Sequence, residues 1–255
     1  MESLSGKVVL VTGASKGIGA SIVRKLGGEG AHVVAHYGGD EAGAREATAE
    51  IPAERRLLLQ ADLADLDAAD GLWRGALEWR GRVDVLVNNA AIMLFDAGVD
   101  AELAVWDDAW ARTLQVNVLA PARLMRAAVK TYLVQGGGAI VSISSWAAQR
   151  GVTNPGNIAY GASKAAIRNA TQTIARAYAR QGIYAYVVAP GVVRTRLSVE
   201  FAKSQGGEAA VSAGLAMGAW VEPEEVAEIV AFLAAGRACQ LSGATLDVNG
   251  ASYVR

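Results

Sequence analysis

Short runs rich in β-branched residues alternate along the chain with longer alanine-rich stretches whose apolar positions recur at helical spacing. Residues 7–12, 32–37, 56–60, 83–88, 139–143, 184–188 and 245–248 read as strands. Residues 18–29, 41–51, about 66–79, 106–130, 160–181 and 222–235 read as helices, the last stopping near Gly236. Near-continuous apolar strands set between helices predict a parallel sheet covered on both faces, an α/β fold. No repeat period appears, and QGGG at 135–138 is short enough to be a helix-to-strand turn, so residues 1–255 read as a single domain.

At 255 residues the chain is long enough for a large core, with 52% apolar and 19% charged residues. A formal net charge of −1 leaves no electrostatic footprint for nucleic acid. The start, MESLSGKVVLVTG, reads as neither a signal peptide nor a spanning segment, so a soluble, cytoplasmic protein without a membrane partner is expected. The single cysteine, Cys239, excludes an internal disulfide and is expected to be a small buried residue. With only His32, His36 and one cysteine, no zinc-type ligand set can be assembled, and no metal is expected.

Two stretches carry chemistry. Between the first strand and first helix, Gly13, Gly17 and Gly19 lie in a turn where backbone amides can approach a diphosphate at the positive end of a helix. Their spacing differs from the common dinucleotide fingerprint, and glycines also make ordinary tight turns. Farther along, Tyr160 and Lys164 stand four apart, on one face of a helix, which places a phenol beside an ammonium. A phenol titrates near ~10 in water, and a fixed neighbouring cation favours its phenolate. Ser145, on the loop leaving 139–143, offers a hydroxyl to an oxygen that gains charge during reaction, with Ser144 as its rival. The same spacings also arise in helices and turns with no chemistry.

TGASKGIG at 12–19, Asn88-Asn89-Ala90-Ala91, Asn117, Ser145, Tyr160-x-x-x-Lys164, Pro190-Gly191 and the ending LSGATLDVNG, taken in that order, resemble the short-chain dehydrogenase/reductase family over essentially the whole chain. The resemblance implies a single-domain, doubly wound Rossmann-type fold with a seven-stranded parallel sheet, and an enzyme interconverting a secondary alcohol and a ketone. It implies Tyr160 as general acid or base, Lys164 lowering the phenol's pKa and binding the nicotinamide ribose, Ser145 orienting the substrate oxygen, and Asn117 holding a water that links Lys164 to solvent. For the cofactor it implies Gly13, Ser15, Lys16, Gly17, Ile18, Gly19, Tyr37, Asp62, Leu63, Asn89, Ala90, Tyr160, Lys164, Pro190, Gly191, Val193 and Thr195. It also implies a homotetramer formed through the long helices. The alternatives are a non-catalytic dinucleotide-binding sensor or interaction module and an NAD-dependent sugar-alcohol dehydrogenase.

Two departures stand out: Ala91 replaces a glycine, and the segment between Ser145 and Tyr160 looks long, its polar Gln149, Arg150, Asn154 and Asn157 expected to face solvent. Residues 192–220 are expected to form a mobile lid, and Ile92, Met93, Leu94 and Trp146 an apolar or mixed pocket. The nearest branch of the family takes 3-oxoacyl thioesters, ketones or polyols. An acidic carrier protein would meet Arg126, Lys130 and Arg168, although basic residues on helices are usually a solvated face. NADP(H) is expected over NAD(H), because the second strand ends in Tyr37 rather than a carboxylate while Lys16 offers a cation to a 2′-phosphate. Asp40 is expected to cap the next helix, and is the ribose ligand if the strand is read three residues longer.

Overall fold

The structure, a computed structural model, describes residues 4–204 and 206–254. Seven strands form one parallel sheet in the order β3-β2-β1-β4-β5-β6-β7. They are β1 (Val8–Val11), β2 (His32–Tyr37), β3 (Arg56–Gln60), β4 (Val85–Asn88), β5 (Gly138–Ile143), β6 (Ile183–Pro190) and β7 (Thr245–Val248). The ten helices of the described residues are α1 (Gly17–Gly28), α2 (Glu41–Ala47), α3 (Leu66–Arg80), α4 (Leu103–Leu114), α5 (Ala120–Gln135), α6 (Ala147–Arg150), α7 (Ile158–Tyr178), α8 (Arg196–Ser204), α9 (Glu208–Ala213) and α10 (Pro223–Ala234).

Alternation along each strand feeds two cores. Val9, Val11, Val33 and Val141 pack with Ile22, Val23 and Leu26 of α1 and with Val226, Val230 and Leu233 of α10. Val8, Leu10, Val34 and Ile140 pack on the other face with Leu72 and Trp73 of α3, Leu124 and Met125 of α5, and Ile167 of α7. The chain winds outward from β1 to β3 and then returns to β4 beside β1, so the carboxyl ends of β1 and β4 bound a crevice at the switch point. Helix ends follow local chemistry: the Asp65 carboxylate accepts from Asp67 N at the start of α3, and Gly81 ends it in the left-handed region at φ 71°.

The long helix expected over 106–130 is instead α4 and α5 joined through a π-helical segment, Gln115–Leu119. Pro121 has no amide to give the Asn117 carbonyl one turn back, and its ring crowds that carbonyl, so the ladder changes pitch there. The helix expected over 41–51 ends at Ala47, where the Thr48 hydroxyl returns to Ala44 O at 2.8 Å and Pro52 follows. The segment between Ser145 and Tyr160 folds as α6 and a 3-10 turn at Pro155–Asn157. Its polar groups do not simply face solvent: Asn157 is buried, Asn154 Oδ1 accepts from Gly156 N at 2.9 Å, and Gln149 Nε2 donates to Asp247 at 3.1 Å. Arg150 is exposed, over the Trp146 ring. Cys239 is half-buried rather than buried. Residues 192–220 hold α8 and α9 and rejoin the body where Val193 bridges Val221.

Candidate active site

At the carboxyl end of β1 the glycine turn is shaped by close approaches. Gly13 and Gly17 have φ of +68° and +54°, and a Cβ on Gly19 would stand 2.0 Å from the Gly13 carbonyl oxygen. Gly17, Ile18 and Gly19 form the first turn of α1, where amides lack a helical carbonyl one turn back. Such a turn fits a diphosphate, since its glycines bring backbone amides to the positive end of a helix. Lys16 is exposed, Ser15 Oγ donates to Asp40 O at 2.7 Å, and Ile18 packs on the first core.

Side chains from neighbouring strands hold this turn. Thr12 Oγ1 accepts from Asn89 N and Ala90 N at 3.0 and 3.1 Å, and Asn89 Nδ2 donates to the Thr12 and Gly13 carbonyls at 2.9 and 3.1 Å. His36, from β2, accepts from Gly13 N through Nδ1 at 3.0 Å, and its Nε2 lies 3.0 Å from Ala61 O. His36 was not legible as a positioning group, because a histidine within a strand carries no spacing signal.

Tyr37 ends β2. The Asp40 carboxylate caps α2 by accepting from Gly43 N at 2.9 Å. After β3, Asp62 Oδ1 accepts from Ala64 N at 2.9 Å and Leu63 is buried. Beyond β6, Gly191 N donates to Val248 O, Val193 is buried, and Thr195 approaches the glycine turn so closely that a Cβ on Gly17 would lie 3.1 Å from its Cγ2. Pro190 O accepts from Trp146 N at 3.0 Å, which draws the loops after β5 and β6 together.

Ser145, Tyr160 and Lys164 meet at the end of β5. Ser144 is excluded from the group because its hydroxyl donates to Lys164 O at 2.8 Å in the interior. Ser145 Oγ accepts from Ala147 N at 3.1 Å, and its hydroxyl hydrogen-bonds the Tyr160 phenol. Burial raises the Tyr160 pKa, with the Ser145 hydrogen bond pulling against it, opposite to the lowering expected from the sequence. Burial acts on Lys164 as well: its Nζ donates to Ile143 O at 2.9 Å and stands 5.6 Å from the centre of the phenol ring, and burial lowers its pKa to about 8.

Asn117, buried in the π-helical segment, is a clamp. Its Oδ1 accepts from Ile92 N at 2.8 Å, and its Nδ2 donates to Ile92 O at 2.9 Å and Ser163 Oγ at 3.0 Å. Ser163 Oγ in turn donates to Tyr160 O at 2.7 Å. The side chain therefore ties the loop after β4 to α7. Among the described residues no group of histidine, cysteine and carboxylate side chains could hold a metal ion, and no helix is long and apolar enough to cross a membrane.

The family model described as "Enoyl-(Acyl carrier protein) reductase" matches residues 13–251. A protein of Eggerthella lenta named 3beta-hydroxysteroid dehydrogenase 1 is 34% identical over 98% of this chain and 94% of its own. Glucose 1-dehydrogenase 2 of Bacillus subtilis is also 34% identical, over 98% of this chain and 95% of its own. The crystal structure of a dehydrogenase/reductase from Sinorhizobium meliloti superposes with a TM-score of 0.86 at 33% identity, covering 99% of this chain and 97% of that one. Spanning the glycine turn, the Ser145, Tyr160 and Lys164 group and the last strand, these matches show that the chain belongs to the short-chain dehydrogenase/reductase family.

Proposed function

We propose that the protein interconverts a secondary alcohol and a ketone using NADP(H), with Tyr160 as the general acid or base. The observation that carries this reading is the meeting of Ser145, Tyr160 and Lys164 at the carboxyl end of β5, on the same edge of the parallel sheet as the glycine turn after β1. The nicotinamide supplies or accepts the hydride when bound. The residues of the chain do the rest. Ser145, whose oxygen accepts from Ala147 N, turns its own proton toward the substrate oxygen. The Tyr160 phenol, kept protonated by its burial, gives its proton to that oxygen as charge develops during reduction. Oxidation runs the same proton back to the phenolate. Lys164, with a pKa near neutrality at about 8, then exchanges a proton with the phenol at modest cost and offers its ammonium to ribose hydroxyls. Asn117 and Ser163 fix the turn of α7 that carries Tyr160.

The preference for NADP(H) is supported by what occupies the end of β2: Tyr37 carries no charge to oppose a 2′-phosphate, Asp40 is engaged as a helix cap, and Lys16 is exposed. The substrate class is left wide by relatives named for a steroid and for glucose at equal identity. A panel of ketones, 3-oxoacyl thioesters and sugar alcohols, followed by the absorbance of the reduced cofactor, tests the reading. Turnover with at least one member, faster with NADP(H), is expected. Binding of the dinucleotide without turnover of any of them would favour a non-catalytic role.

A further inference from the structure

His36 has both ring nitrogens engaged by main-chain groups that cannot change roles. Gly13 N–H is always a donor, so Nδ1, at 3.0 Å, must present its lone pair. Ala61 C=O is always an acceptor, so Nε2, also at 3.0 Å, must carry the proton. These two partners allow one form of the ring, the neutral Nε2–H tautomer. The imidazolium would direct a second N–H at Gly13 N–H inside a site where the residue is 2% exposed.

The Thr12–Gly13 peptide shares this constraint at its other end, where the Thr12 carbonyl accepts from Asn89 Nδ2 at 2.9 Å. Rotating that peptide to relieve the clash would therefore also break the link from Asn89 to the Thr12 carbonyl, so the strain reaches the loop after β4 as well. The charged groups around the ring do not offset its proton. Asp62 and Asp65, from the β3–α3 connection, accept from Ala64 N and Asp67 N, and Asp40, before α2, accepts from Gly43 N. Lys16 on the glycine turn and Asp67 on α3 are exposed, and Asp70 on α3 pairs with Arg123 of α5. Tyr37, next along β2, is neutral, and no carboxylate among the described residues forms an ion pair with the ring. Burial accordingly lowers the His36 pKa from its ordinary value, with the Ala61 hydrogen bond opposing.

We propose that His36 is a positioning residue that makes dinucleotide affinity proton-dependent: the neutral ring holds the glycine turn in its binding shape, and the imidazolium releases it. This rests on the reading of the turn as the diphosphate site. Calorimetric titration with ADP-ribose between pH 5 and pH 8 tests it, because this ligand has no 2′-phosphate to titrate in the same range. Below the point where His36 takes up its proton, Kd should rise about tenfold per pH unit, and the slope should vanish in His36→Asn, which has no proton to gain. By reciprocity, saturating ADP-ribose should move the ¹⁵N titration of the His36 ring in the unmodified protein to lower pH. A ring that titrates at the same pH with and without ADP-ribose, or a Kd independent of pH in the unmodified protein, would overturn the proposal. Absence of ADP-ribose binding at every pH would overturn the diphosphate reading beneath it as well.

Discussion

The Lys164 ammonium stands 5.6 Å from the centre of the Tyr160 ring while it donates to the Ile143 carbonyl at 2.9 Å. A buried cation close to a phenol yet bonded to the main chain is costly to keep charged, which is why its pKa falls to about 8. Between that value and the ordinary lysine value of 10.5, the unfolded chain holds a proton that the folded chain has released. Stability contributed by this site therefore rises with pH across that window and is flat below it. Compared with Lys164→Met by urea unfolding, the unmodified protein should gain up to about 3 kcal/mol between pH 7.5 and pH 10.5. A difference that stays constant would show that Lys164 is not depressed.

Asn117 makes three side-chain hydrogen bonds in the interior, two to Ile92 and one to Ser163. Replacing it by alanine leaves the Ile92 amide and carbonyl without partners, so Asn117→Ala should cost about 2–4 kcal/mol in unfolding free energy, against about 1 kcal/mol for Ser163→Ala. Equal effects from the two would mean that the Ile92 contacts contribute nothing.

Tyr37→Asp would set a carboxylate at the end of β2 where a 2′-phosphate is expected. NADPH use should fall, by about 10- to 100-fold in kcat/KM at low salt and less at high salt, while NADH use holds or improves. If the unmodified protein already prefers NADH, Asp40, which accepts from Gly43 N through Oδ1 alone, becomes the leading ribose ligand through its other oxygen.

Leu103 and Val105 on α4, and Leu133 and Val134 on α5, are exposed, as is Leu119 between the two helices. A second copy packed along the long helices, as the homotetramer reading has it, would cover part of this apolar surface. Light scattering at micromolar concentration should give four times the chain mass, and a monomer mass would defeat it.

Much of this was readable in the chain. The strand runs, the Tyr160 and Lys164 spacing and the cap at Asp40 are local signals, and local signals survive folding. Other features are set by contacts distant in sequence. His36 matters because Gly13 and Ala61 close on its ring, and Ser144 differs from Ser145 only because its hydroxyl meets Lys164 O in the interior. Asn157 is buried although the segment around it reads as a polar loop; a Cβ on neighbouring Gly156 would stand 2.2 Å from Phe95 O, so this turn packs against the loop after β4. The π-helical segment was within reach, since Pro121 already denies the Asn117 carbonyl its partner.

The central claim is that Tyr160 moves the proton, and Tyr160→Phe tests it most directly because the change keeps the ring and removes only the hydroxyl. Steady-state turnover should drop by about 10²-fold or more, while the Kd of the dinucleotide, measured by titration, moves by less than about threefold. Turnover within a few-fold of the unmodified protein would contradict the account and take Tyr160 out of the mechanism.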